Sequence, residues 1–124
     1  MQQPTLLLVQ EEESTRNVLA QLLVQEGFLV LTAASGHDAL GVFRASLTPI
    51  DVLVVNVPLP DLGGADLCAH LRRLHPDRPV IVCTGEAEPE EKAKLSQLGV
   101  KRFFGKPVGL EDLLATVRQA LRSL

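Results

Sequence analysis

Four short segments of this 124-residue chain carry side chains that could act together: Gln10 to Glu13, Asn56 to Pro60, Thr84 to Glu86, and Gly105 to Pro107. They supply carboxylates at Glu11, Glu12 and Glu13, an amide at Asn56, a hydroxyl at Thr84 and an ammonium at Lys106. Carboxylate oxygens are the hard anionic ligands that Mg²⁺ prefers. A lysine pairs with carboxylate or phosphate as a point charge. Asn56 does neither, because an amide oxygen is neutral and a poor nucleophile. Three of the four segments follow a short run of apolar residues, and this fixes how they can be brought together.

Those runs are Leu6 to Val9, Val52 to Val55 and Val80 to Cys83. Continuous apolar character over four residues is the pattern of a strand covered on both faces by helices, so these are expected to be central parallel strands. Between them the apolar spacing becomes helical: Val18, Leu19, Leu22 and Leu23; Leu40, Phe43 and Leu47; Leu67, Leu71 and Leu74. A last stripe runs through Leu110, Leu113, Leu114, Val117, Leu121 and Leu124. Two weaker strands, Phe28 to Ala33 and Lys101 to Phe104, follow helix stops at Gly27 and Gly99. Ser14, Ser35 and Pro89 with Glu90 and Glu91 sit where helix starts need acceptors or acidic groups. Five βα units predict a doubly wound α/β fold with a parallel sheet. In such sheets the site lies at the carboxyl ends of the strands, where the four segments fall.

The length fits one domain, residues 1–124, with no room for a second, and 46% hydrophobic residues suffice for a layered core. Net charge is -3, with the Lys and Arg residues spread along the chain, which argues against direct nucleic-acid binding. No apolar run approaches the ~20 residues needed to span a bilayer, and Thr5 to Val9 is too short for a signal-peptide core. A cytoplasmic protein is expected, either stand-alone or part of a longer one. Cys68 and Cys83 lack a CxxC pattern and read as reduced, buried thiols. His37, His70 and His75 have no ligand-like spacing and read as surface polar residues. The acidic run Glu86, Glu88, Glu90 and Glu91 reads as a solvated helix start.

Taken in order, these motifs resemble the receiver (CheY-like) domain of response regulators over nearly the whole chain. Leu6 through Glu13 is similar to the family's first strand and its acidic pair. Asp51 through Gly64 is similar to the phosphoacceptor strand and the loop after it, with Pro60 and Gly64 in place. Pro79 through Gly85 is similar to the strand ending in the switch hydroxyl, here Thr84. Phe103 through Pro107 matches the switch aromatic, the family's lysine at Lys106, and the following proline. The resemblance implies a flavodoxin-like (βα)5 fold with a parallel five-stranded sheet of order 2-1-3-4-5. It also implies a cis bond before Pro107.

The departures fall on the chemistry. The phosphoacceptor position holds Asn56, and the acidic pair is Gln10 and Glu11, or Glu11 and Glu12 if the first strand bulges. In the family, three carboxylates hold Mg²⁺ while a phosphoryl group moves from a partner's histidine to the aspartate. Here Mg²⁺ binding is expected to be weak or absent, with Glu11 the one remaining ligand, no catalytic residue and no other cofactor. Glu11 and Lys106 are expected to balance as an ion pair bridged by Asn56 and Gln10. Plainer roles stand beside these: a strand-end amide for Asn56, a helix-start acid for Glu11, a loop hydroxyl for Thr84.

The resemblance thus implies a pseudo-receiver that is not an enzyme and regulates by binding a protein partner or itself. A sensor kinase or an output domain is the implied partner. The implied face is that of the fourth helix, fifth strand and fifth helix, with Lys94, Gln97, Lys101, Phe103, Phe104, Thr116, Arg118 and Gln119 as candidates. Two alternatives remain: a receiver phosphorylated on another acid, such as Asp61 or Glu11, and a flavodoxin-like binder of a small ligand. The second lacks a phosphate-binding loop after the first strand and has no Trp or Tyr for ring stacking.

Overall fold

The computed structural model describes residues 3–46, 49–74, 77–84, 89–100, 102–105 and 109–122; the side chains of 91 and 102–105 are outside that description. Strands β1 (Thr5–Val9), β2 (Leu29–Ala33), β3 (Val52–Val57), β4 (Val80–Thr84) and β5 (Arg102–Gly105) alternate with five helices. These are α1 (Glu13–Gln25), α2 (Gly36–Ala45), α3 (Gly64–Leu74), α4 (Pro89–Gln97) and α5 (Leu110–Arg122). The strands pair in parallel in the order β2-β1-β3-β4-β5, with β5 joined to β4 along the edge through its backbone.

Strands β1, β3 and β4 are buried at every residue, as their unbroken apolar runs require. Their two-residue alternation then divides the core. Leu7, Val9, Leu53, Val55, Val80 and Val82 face one side, with Leu40 of α2, Leu67 and Leu71 of α3 and Leu95 of α4. Leu6, Leu8, Val52, Val54, Ile81 and Cys83 face the other, with Leu23 of α1 and Leu113, Leu114 and Val117 of α5. The expected alternation of strand and helix therefore produces a helix layer on each face. Both cysteines are buried in this core.

Several sequence expectations are corrected. Val18, one of the four apolar positions at helical spacing in α1, is 55% exposed; Leu23 is the buried residue there, with Leu19 and Leu22 half-buried. Ser14 does not cap α1. The cap is Glu12, whose carboxylate accepts the Thr15 backbone N–H at 2.7 Å and the hydroxyls of Ser14 and Thr15. Ser35 caps α2 as expected, accepting from the Asp38 N–H at 3.1 Å. Strand β2 starts one residue late, at Leu29, and β5 is shifted by one to Arg102–Gly105. The expected apolar positions Leu47 and Leu124 lie outside the described residues.

Gly27 and Gly99 do end helices, with φ of 100° and 88°. In each case the glycine and the next residue donate back to the last turn, a Schellman closure that needs a left-handed residue. Among the described residues no helix is long and apolar enough to cross a membrane.

Candidate functional site

The carboxyl ends of β1, β3 and β4 lie side by side, because Val9 pairs with Val55 and Val57 with Thr84. Just there the strands become polar. Asn56 is 6% exposed, Gln10 8% and Thr84 8%, so three neutral polar side chains share the buried end of the sheet. Gln10 continues the row of Leu6 and Leu8, and Asn56 that of Val52 and Val54, toward the α1 and α5 side. Thr84 continues the row of Val80 and Val82 on the opposite face. Burying an uncharged amide is tolerable when it is bonded, and a buried lone carboxylate would be costlier.

Each amide is engaged by backbone. The Asn56 Nδ2 donates to the Val9 carbonyl at 3.4 Å, across the β1 to β3 seam. The Gln10 backbone N–H donates to the Ala33 carbonyl at 2.9 Å, and its side-chain oxygen accepts the Glu12 N–H at 3.1 Å. Arg16, one turn into α1, donates to the carbonyls of Gln10 and Glu11 at 3.0 and 3.1 Å. The loop after β1 is thus folded on its own helix start. Glu11 is exposed, and the Glu12 carboxylate is spent on the cap. Hydrogen bonds from the Ser14 and Thr15 side chains and the Thr15 backbone hold its pKa near 2, down from an ordinary 4.5.

The loop after β3 is anchored elsewhere. Asp61 accepts the backbone N–H groups of Gly36 and His37 at 2.9 and 3.0 Å, which makes it a second cap on α2 from outside the helix. The exposed His37 ring lies 3.8 Å from the same carboxylate. Partial burial would raise the Asp61 pKa, but these donors and the His37 charge outweigh it and the net shift is downward. At the other end of the sheet, Asp51 accepts the Thr5 N–H and donates its own N–H to the Thr5 carbonyl, both at 2.8 Å. That pair sets the register of β1 against β3 far from the polar end.

Gln10, Asn56 and Thr84 all lie at the carboxyl end of the sheet, the two amides on one face and Thr84 on the other. Lys106 and Pro107 lie outside the described residues, and with them the expected Glu11 to Lys106 ion pair and the cis bond before Pro107. The cis peptide bond among the described residues is Val57 to Pro58. Lys94 and Gln97 are exposed on α4, while Lys101 and the side chains of Phe103 and Phe104 are not described. Arg118 is exposed and reaches α1, donating to the Glu26 carbonyl at 3.3 Å and pairing with its carboxylate at 3.2 Å. Sequence reasoning missed the Glu12 and Asp61 caps and Arg72, a residue of α3 that bonds the end of α4. The Asp61 cap joins residues 25 apart, and no local pattern signals it.

The model of the response regulator receiver domain matches residues 6–118. The chain belongs to the response regulator receiver family. This receiver is 34% identical over 122 residues to the transcriptional regulatory protein CreB of Escherichia coli (strain K12), covering 98% of the chain and 52% of that protein. It is 33% identical over 117 residues to the sensor kinase CckA of Brucella abortus (strain 2308), covering 94% of the chain and 12% of the kinase. Its fold superposes on the crystal structure of a CheY-like receiver domain protein from Methanospirillum hungatei JF-1 with a TM-score of 0.92. That match has 25% identity and covers 98% of this chain and 95% of the other. The receiver spans about half the length of the curated regulators it matches. Family membership places it in two-component signalling, in which receivers meet kinases and output domains.

Proposed function

We propose that this chain is a single receiver unit over 1–124 that signals without accepting a phosphoryl group, by docking a protein partner or a second copy of itself. The observation that carries the reading is Asn56: a buried amide at the end of β3, bonded to the Val9 carbonyl, where the family resemblance puts the phosphoacceptor aspartate. An amide forms no acyl phosphate at a useful rate, and Asp61 is a poor substitute because both its oxygens already accept from α2. The remaining donor set also does not fit Mg²⁺. Gln10 is turned to the Glu12 N–H, Glu12 is turned to its own helix, and Glu11 alone offers a carboxylate. No step is derived through a metal, and an enzymatic role is not part of this reading.

The partner is argued from chemistry and kinship. CreB is by name a transcriptional regulator and CckA a sensor kinase, so an output domain or a kinase is the natural class of partner for this receiver. The proposed face is that of α4, β5 and α5, where Lys94 and Gln97 are exposed.

Intact mass after incubation with acetyl phosphate and Mg²⁺, against the same incubation with EDTA, tests the reading. No added phosphoryl group is expected. A metal-dependent, base-labile gain of one phosphoryl group would overturn it. The double variant Asn56→Asp with Gln10→Asp is expected to gain phosphorylation, whereas Asn56→Asp alone gives two carboxylates with Glu11 and still lacks the third.

A further inference from the structure

We propose that Arg72, on α3, is the residue that sets where α4 sits, so that the position of the α4 face is fixed from α3 independently of the polar end of the sheet. Among the described side chains of α4, Leu95 alone is buried. The other described side chains of the helix, Pro89, Glu90, Lys92, Ala93, Lys94, Ser96 and Gln97, are exposed. Just beyond it Leu98 packs half-buried against the core and Val100 is buried, so the apolar anchorage is narrow and gathered at the carboxyl end. A second, polar point of attachment at that end would fix the direction of the helix.

Arg72 supplies that second point. Its Nε donates to the Leu98 carbonyl at 2.8 Å and its Nη2 to the Gly99 carbonyl at 3.2 Å, both at the carboxyl end of α4. Its Nη1 donates to the Arg78 carbonyl in the connection leading to β4. The planar fork of a guanidinium can meet acceptors in three directions at once, which an ammonium on a flexible stem cannot. A positive charge at a helix carboxyl end is also favoured by the helix dipole.

The guanidinium lies directly against the glycine that ends α4: a Cβ on Gly99 would stand in ordinary contact, 3.4 Å from Nη2 and 3.6 Å from Cζ of Arg72. Leu95 and Arg72 therefore hold α4 at two separated points, both referred to α3 and the sheet. The inference rests on the preceding proposal only for the role of the α4 face as a docking surface.

Amide hydrogen exchange by NMR on the whole chain, wild type and Arg72→Gln, tests it. The reporters are the amides of Leu98, Gly99 and Val100, which bond back to Lys94, Ser96 and Leu95. They are expected to exchange about tenfold faster in the variant, while core amides at Val54 and Ile81 keep their protection. Arg118→Gln, which removes the corresponding arginine from the end of α1, is expected to leave those three amides unchanged. Arg72→Lys keeps the charge and loses the fork, and is expected to show a smaller loss confined to the same residues; it serves as the test should Arg72→Gln fail to fold.

Unchanged exchange at Leu98 to Val100, or an equal rise there and in the core, would overturn the proposal. Phosphorylation of the chain by acetyl phosphate would defeat the preceding reading and leave this exchange pattern as it is.

Discussion

The carboxyl ends of α1 and α4 are built alike and held differently. In α1, Gly27 donates to Val24 and Phe28 to Leu23; in α4, Gly99 donates to Ser96 and Val100 to Leu95. In both the residue after the glycine is buried, and in both an arginine from a neighbouring helix bonds the end: Arg118 on Glu26, Arg72 on Leu98 and Gly99. Behind α1, however, stand Leu23 and the half-buried Leu19, Ala20 and Leu22, whereas α4 has Leu95 within the helix and the half-buried Leu98 just after it. On the preceding proposal the same local closure is secondary where a broad apolar stripe anchors the helix, and matters more where the apolar anchor is narrow. A stripe of several side chains fixes both position and direction, so polar contacts at its end add little.

The largest way to test this contrast is to remove the apolar anchor of α1. Leu23→Ala is expected to cost about 3 kcal/mol of global stability in urea denaturation, as for other fully buried leucines. A loss below about 1 kcal/mol would show that α1 is not keyed there.

Next come the two glycines. Both need a left-handed conformation, so alanine at either costs about 1 kcal/mol. A Cβ on Gly27 meets nothing within 4 Å, and on Gly99 it makes ordinary contact with the Arg72 guanidinium at 3.4 Å. The two alanine variants are therefore expected to cost about the same by the same measurement, about 1 kcal/mol each. A cost about twofold larger at Gly99 would mean that the Arg72 contact cannot give way.

The start of α1 gives a smaller, pH-dependent effect. Glu12 has its pKa depressed in the folded state to about 2, so its contribution is present above its unfolded value near 4.5 and is lost as pH falls toward 2. The melting temperature should fall through that window, and less so in Glu12→Gln, which no longer titrates there. Smallest is Arg118→Gln. An exposed pair at 3.2 Å is worth less than about 1 kcal/mol, and thermal melts at low and high salt should differ little between wild type and variant.

Much of the architecture was legible in the residues. Unbroken apolar runs named β1, β3 and β4 as buried strands, glycines marked the ends of α1 and α4, and Ser35 marked the start of α2. The site was legible by rule as well, since polar residues that follow buried strands must gather at one end of a parallel sheet. Val18 misled because helical spacing tolerates a neighbour on the rim of the apolar face. Ser14 misled because the helix starts earlier: the Glu12 carboxylate accepts the Thr15 N–H, and the Ser14 hydroxyl donates to that same carboxylate. The Arg118 contact was not legible, because a long side chain lies on whichever neighbouring helix offers an acceptor, and that helix is α1.

By itself the sequence determined the alternation of strands and helices and the polar residues at the strand ends, because these follow from residue type and local period. Tertiary structure alone decided which carbonyl Asn56 bonds, that Asp61 caps α2 and that Arg72 holds α4. Those contacts join residues 47, 25 and 26 positions apart. Their partners are backbone groups, which every residue carries alike, so only the folded chain selects among them.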